Sequence, residues 1–146
     1  MMRLTDAHIA SLIDERYRQR GREYFAQGMV ELTGVTDSKV TAKCAGTRLY
    51  RTKLELKKGV LSGECSCPAF EDFGPCKHMA ATCYAVMAKN RAGYAPSEEY
   101  EWRKEECQRT EKHLMKKSKA ELVMLLMQIM QDDHDFRWMI EREMEE

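Results

Sequence analysis

The order of apolar and polar positions divides the chain into three stretches with different periods. From Thr5 or Asp6, either of which can cap a helix, Ile9, Leu12, Ile13, Tyr17, Tyr24 and Phe25 recur at helical spacing, and Gly28 supplies a terminator. This predicts one N-terminal helix. Gly21 falls inside the pattern and reads either as a point of close packing or as a break. Between Met29 and Glu64 the period changes to two. Val30 and Leu32 alternate with polar residues, as do Val40, Ala42 and Cys44, then Tyr50, Thr52, Leu54 and Leu56, and a short run from Val60 to Glu64 follows. Asp37-Ser38, Gly46-Thr47 and Lys57-Lys58-Gly59 separate these runs, which predicts a four-stranded antiparallel meander. Cys44 lies on the apolar face of its strand and reads as a buried thiol.

Helical spacing returns from Lys77 to about Lys89, with Met79, Cys83, Val86 and Met87 on one stripe and Asn90 to Gly93 ending it. Cys83 belongs to that stripe and reads as packing. Pro96-Ser97-Glu98-Glu99 then starts a charge-dominated helix that runs to about Lys117. Ser118 and Glu121 form a capping box ahead of Leu122, Val123, Leu125, Leu126, Ile129 and Met130. Asp132-Asp133 interrupts that helix and caps another, with Phe136, Met139, Ile140 and Met144 on one face. The fold class expected is α+β: an N-terminal helix, a small antiparallel β-meander, a strand–turn–helix and a C-terminal helical hairpin. Two domains are expected, 1–92 and 93–146.

Composition narrows the function classes. Basic and acidic residues number 24 each, so the chain does not coat nucleic acid by bulk charge as a histone does. No run of 18 apolar residues predicts a membrane span, and Met1-Met2-Arg3-Leu4-Thr5-Asp6 lacks a secretory apolar stretch, so a cytoplasmic location is expected. In that reducing compartment, clustered cysteines point to metal or to catalytic thiols rather than disulfides.

The cysteines are clustered. Of six, Cys65, Cys67 and Cys76 fall within twelve residues, and His78 follows at once. The pattern is Cys-x-Cys, eight intervening residues, then Cys-x-His. Three thiolates and an imidazole suit tetrahedral zinc, and four protein ligands leave no position for a reacting water, so the site is expected to be structural. Such an ion contributes an apparent stabilisation of about 10–16 kcal/mol, large beside that of a small sheet. Lys77 is placed to offset the negative charge of the thiolates, and Phe70 and Phe73 to cover them as a lid or to meet a partner. A redox dithiol at Cys65 and Cys67 is the alternative, but the neighbouring Cys-x-His suits a metal better. His8, His113 and His134 stand apart, and the aspartates around His134 read as caps, so no catalytic residue is assigned and no enzyme is expected.

The run from Cys65 to His78 resembles the SWIM zinc finger, whose signature is Cys-x-Cys, a variable spacer and Cys-x-His. Its four ligand positions fall on Cys65, Cys67, Cys76 and His78. The flanks, from Arg20-Gly21-Arg22-Glu23-Tyr24-Phe25 through the meander to the alanine-rich helix after His78, are similar to bacterial members, and the resemblance covers about residues 16–90. It implies zinc as cofactor and binding to DNA or to protein. No Walker-type lysine loop appears, so the chain reads as a stand-alone finger, and a separately encoded Swi/Snf-type helicase or other ATPase is a partner the resemblance implies.

Charge favours a nucleic-acid partner at one end. Residues 1–90 hold 14 basic and 10 acidic residues, whereas 91–146 hold 10 and 14. Lys39, Lys43, Arg48, Arg51, Lys53, Lys57 and Lys58 accompany only Glu55 within the meander, and with Lys77 they form the candidate nucleic-acid-binding set. The opposing reading is an adapter. The tail carries six of the eleven methionines (Met115, Met124, Met127, Met130, Met139, Met144), and methionine surfaces adapt to protein partners.

Overall fold

A computed structural model describes all of residues 1–146. The chain divides into two compact units, Met1–Cys107 and Gln108–Glu146. No helix is long and apolar enough to cross a membrane.

The first unit is α+β. Helices α1 (Asp6–Leu12) and α2 (Glu15–Ala26) precede strands β1 (Val30–Val35), β2 (Lys39–Ala45), β3 (Leu49–Lys57) and β4 (Val60–Cys65), followed by α3 (Pro68–Phe73), α4 (Lys77–Ala92) and the start of α5 (Glu98–Met115). The strands form the expected meander, antiparallel throughout in the order β1-β2-β3-β4. Its tightest turn uses Lys58 and Gly59, both at positive φ (50° and 77°), which matches the right-handed twist of a two-residue hairpin. Alternation then sorts the side chains. Val40, Ala42, Cys44, Thr52, Leu54 and Leu61 turn inward and are buried, and α4 packs across that inner face. Met79, Ala80, Ala81, Cys83, Ala85 and Val86 of α4 are buried, with Ile9 and Ile13 joining the same core.

The single N-terminal helix read from the spacing is two helices. Ile13 is extended (φ −118°, ψ 129°) and buried, while the Asp14 side chain accepts from the Arg16 N–H and starts α2. An N-cap aspartate in mid-pattern restarted the helix without interrupting its apolar stripe. Gly21 marks close packing and not a break. A Cβ there would lie 2.5 Å from Ala80 Cβ and 3.0 Å from the Ala81 nitrogen, so α2 meets α4 nearly backbone to backbone.

The division falls after Cys107, whereas 92/93 was the expected limit. The intervening segment is tied to the sheet. Tyr94 donates its hydroxyl to the Val30 carbonyl at 2.7 Å, and the Ser97 hydroxyl donates to the Gln27 carbonyl at 2.8 Å. Tyr100, fully buried, donates to the Glu31 carboxylate at 2.5 Å, and the Lys104 ammonium lies 3.0 Å from the same group. Those two contacts, Tyr100's first, hold the Glu31 carboxyl below the usual carboxylate range. A carboxyl lowered in the folded chain stabilises above its unfolded pKa and loses that contribution as pH falls through the folded value. Acidification below about pH 4.3 should therefore weaken the tie between the start of α5 and β1. The Tyr100 ring resonances should report this, and Glu31→Gln should abolish the pH dependence.

The second unit contains the end of α5, then α6 (Lys119–Asp132) and α7 (His134–Glu145). Ser118 and Glu121 form the capping box read from the sequence, and Asp133 accepts from the Phe136 N–H to cap α7. No side chain of this unit is buried.

Candidate metal centre

Three successive elements deliver one donor set. Cys65 ends β4, Cys67 caps α3, Cys76 stands at the N-cap position of α4 and His78 lies in the first turn of α4. β3 fixes the Cys-Ser-Cys bend: the Arg51 N–H donates to Ser66 Oγ at 2.9 Å, and the Ser66 N–H donates to the Arg51 carbonyl at 3.0 Å. Pro68 opens a short helix, because proline fits a first helical position whose N–H has no intrahelical partner. Gly74 ends that helix at φ 85°, a conformation a side chain would oppose, and Cys76 follows.

The four ligand atoms lie within 4.8 Å of one another, and all four residues are buried. His78 Nδ1 stands 3.8 Å from Cys65 Sγ and 3.9 Å from Cys76 Sγ. Around a tetrahedral zinc with ordinary Zn–S and Zn–N bonds, that edge is about 3.6 Å. A small contraction would close the site, and the donor chemistry fits zinc. Cys44 and Cys83 are not members. Burial pushes both thiols up to about 12, which keeps them protonated at neutral pH and poor ligands.

Within the cluster the thiols are unequal. The hydrogen bond from Cys65, reinforced by His78 and the Met79 N–H, holds Cys76 down to about 4, against the opposing effect of burial. Sharing that proton and burial push Cys65 up, and burial pushes Cys67 up. One sulfur is therefore ready as thiolate, whereas the other two must give up protons to a metal.

The surroundings of His78 include residues the sequence reading left on ordinary apolar stripes. Its ring lies between Tyr24, edge-on at 5.1 Å, and Tyr50, tilted at 4.9 Å. Beneath it the Thr82 hydroxyl donates to the His78 carbonyl at 2.8 Å and pairs with the Thr52 hydroxyl at 2.9 Å. This buried network satisfies groups that would otherwise be costly in a dry core. A threonine on an inward strand position opposite one on a buried helix face was the available signal. The aromatic lid is only half formed: Phe70 packs against the core, but Phe73 is 74% exposed.

The candidate nucleic-acid residues separate into groups. Lys39, Lys43, Arg51, Lys53 and Lys57 alternate onto the outer face of β2 and β3. Arg48 and Lys58 occupy turns, and Lys77 begins α4, with its ammonium 5.4 Å from the Tyr24 ring centre. The single carboxylate expected among the bases has companions on the adjoining strands. Glu31 of β1 pairs in register with Lys43, and Glu64 of β4 with Lys53. Lys53 lies 3.6 Å from Glu64 and Lys57 lies 2.9 Å from Glu55.

Comparison with known families agrees with this centre. The SWIM zinc finger model matches residues 50–87, which span β3, β4, α3 and most of α4 and contain all four ligands. No curated protein and no solved structure matches the chain. Signature, donor geometry and family match converge on one statement: residues 50–87 form a SWIM zinc finger, and the chain is a zinc-binding module.

Proposed function

We propose that the finger is a non-catalytic module that holds DNA by its phosphate backbone through the outer face of the sheet. The observation that carries this reading is the cross-strand pair of Lys43 and Arg51, two cations in direct register on neighbouring strands. Like charges placed opposite one another destabilise a sheet, and a bound phosphate would relieve that repulsion. Lys39, two alternations away on β2, adds a further cation to this face, in register with Glu55. Lys43 also faces Glu31 on β1, and Lys53 and Lys57 lie within ion-pair distance of their carboxylates and contribute less. Contacts of this kind position a backbone without reading bases, so little sequence preference is expected.

A mobility-shift series with duplex DNA over increasing salt tests this. Binding should weaken steeply with salt, and replacing Lys39, Lys43 and Arg51 together by alanine should reduce the logarithmic slope by about 3. Absence of binding at low salt would overturn the reading.

A second reading, protein contact through residues 108–146, is favoured by one observation. Val123, Met124, Leu126, Met127, Ile129, Trp138, Met139 and Met144 are all exposed. This many exposed large apolar side chains in one small unit is characteristic of a surface that associates. A separately encoded Swi/Snf-type helicase is one partner class under this reading.

A further inference from the structure

We propose that α6 pairs antiparallel with α6 of a second copy of this chain, making the protein a dimer through its C-terminal unit. The inference rests on the second reading above and names the partner. Three observations carry it. First, α6 is apolar on every side: Leu122, Val123, Met124, Leu125, Leu126, Met127, Ile129 and Met130 leave no polar face along its middle. Only Leu122 and Met130 of these are even half-buried. A helix apolar all round belongs in an interior.

Second, the unit buries nothing of its own over residues 108–146. Chains of that size usually need a metal, a disulfide or association to stay folded. The metal centre lies in the other unit, and this one contains no cysteine.

Third, the charges on α6 run against the helix dipole. Lys116, Lys117 and Lys119 gather at its N-terminal end, and Asp132, Asp133 and Asp135 at its C-terminal end, the reverse of what a single helix prefers. Asp133 is explained by its capping bond to Phe136, and Lys117 has Glu121 at 3.8 Å. Asp135, in the first turn of α7, and Lys116, just past the C-terminal end of α5, suit the dipoles of those helices, which leaves Lys119 and Asp132 without such an explanation within the chain. An antiparallel mate supplies one. A two-fold axis midway between Leu125 and Leu126 sets Lys116 and Lys119 of one copy towards Asp135 and Asp132 of the other. It also opposes the two dipoles and buries the apolar middle of both helices. The interface is isologous and therefore closes at two copies.

Sedimentation of the full chain tests the proposal. A concentration-dependent monomer–dimer equilibrium is expected, and Leu126→Glu should abolish the dimer. K116E/K119E alone and D132K/D135K alone should each raise the dissociation constant about tenfold, as attraction becomes repulsion at both ends. Mixing the two variants should restore a dimer of wild-type affinity, as should a chain carrying all four changes. A parallel pairing would set like residues opposite like, so neither two-fold variant alone would weaken the dimer, and that result would overturn the assignment. A chain that stays monomeric at about 100 μM in low salt would do the same. If such a monomer still loses a co-purifying protein on removal of residues 118–146, the adapter reading survives while the self-pairing fails.

Discussion

Replacing Cys76 by serine should unfold the finger and take most of the first unit with it. Cys76 stands at the N-cap position of α4, and α4 supplies the buried face on which the sheet and α2 pack. Zinc in a structural site contributes an apparent stabilisation of about 10–16 kcal/mol at neutral pH, as large as the whole stability of an ordinary domain, about 5–15 kcal/mol. Loss of one ligand forfeits most of it. The near-ultraviolet circular dichroism of the variant should collapse, and a strong chelator should do the same to the wild type. His78→Cys is the control. It exchanges one accepted zinc ligand for another and should retain a folded, zinc-loaded chain. Affinity should also fall with acidification. Cys65 and Cys67 hold their protons in the metal-free chain, so zinc binding releases protons and a lower pH opposes it. Stability at pH 5.5 should be well below that at pH 7.5 in zinc-limited buffer, and a midpoint independent of pH would contradict this account.

The second large effect is expected at Gly63. Its pairing with Leu54 brings β4 so close to β3 that a Cβ would lie 2.3 Å from the Lys53 carbonyl oxygen, 3.0 Å from Leu54 Cδ2 and 3.1 Å from Met79 Cε. The first of these neighbours is backbone within a strand ladder and has little room to yield. Gly63→Val should therefore cost about 3 kcal/mol or more by forcing the two strands apart. The damage should reach the metal, because Cys65 stands two positions further along the same strand. Thermal unfolding and a zinc-competition titration should both register the change. A variant with unaltered melting and zinc affinity would mean that β4 is free to move and that the strand does not hold Cys65 in place.

Much of this architecture was legible in the residues, for local reasons. Period-two alternation and turn residues fixed four strands in order, and the Cys-x-Cys and Cys-x-His pairs named all four ligand residues of the cluster. Capping chemistry placed the start of α6. What escaped was tertiary or ambiguous. Ile13 continues the helical stripe and gives no sign that its backbone is extended, while Asp14 reads equally well as a polar helix residue or as a cap. Glu31 and Glu64 lie far in sequence from the lysines they face, so only strand pairing reveals the mixed charge of the outer sheet surface. Tyr24 and Tyr50 looked like core stripe residues, and their place around His78 depends on α2 and β3 meeting at α4. Tyr94, Ser97 and Tyr100 moved the limit of the first unit because their hydrogen bonds reach back across about seventy residues to β1 and to the turn before it.

Elemental analysis of freshly isolated, folded protein tests the account most directly. It should find one zinc ion for each chain, retained through dialysis and released only by thiol modification, strong chelation or acid. A well-folded chain that contains no stoichiometric transition metal, with Cys65, Cys67 and Cys76 freely reactive, would contradict it.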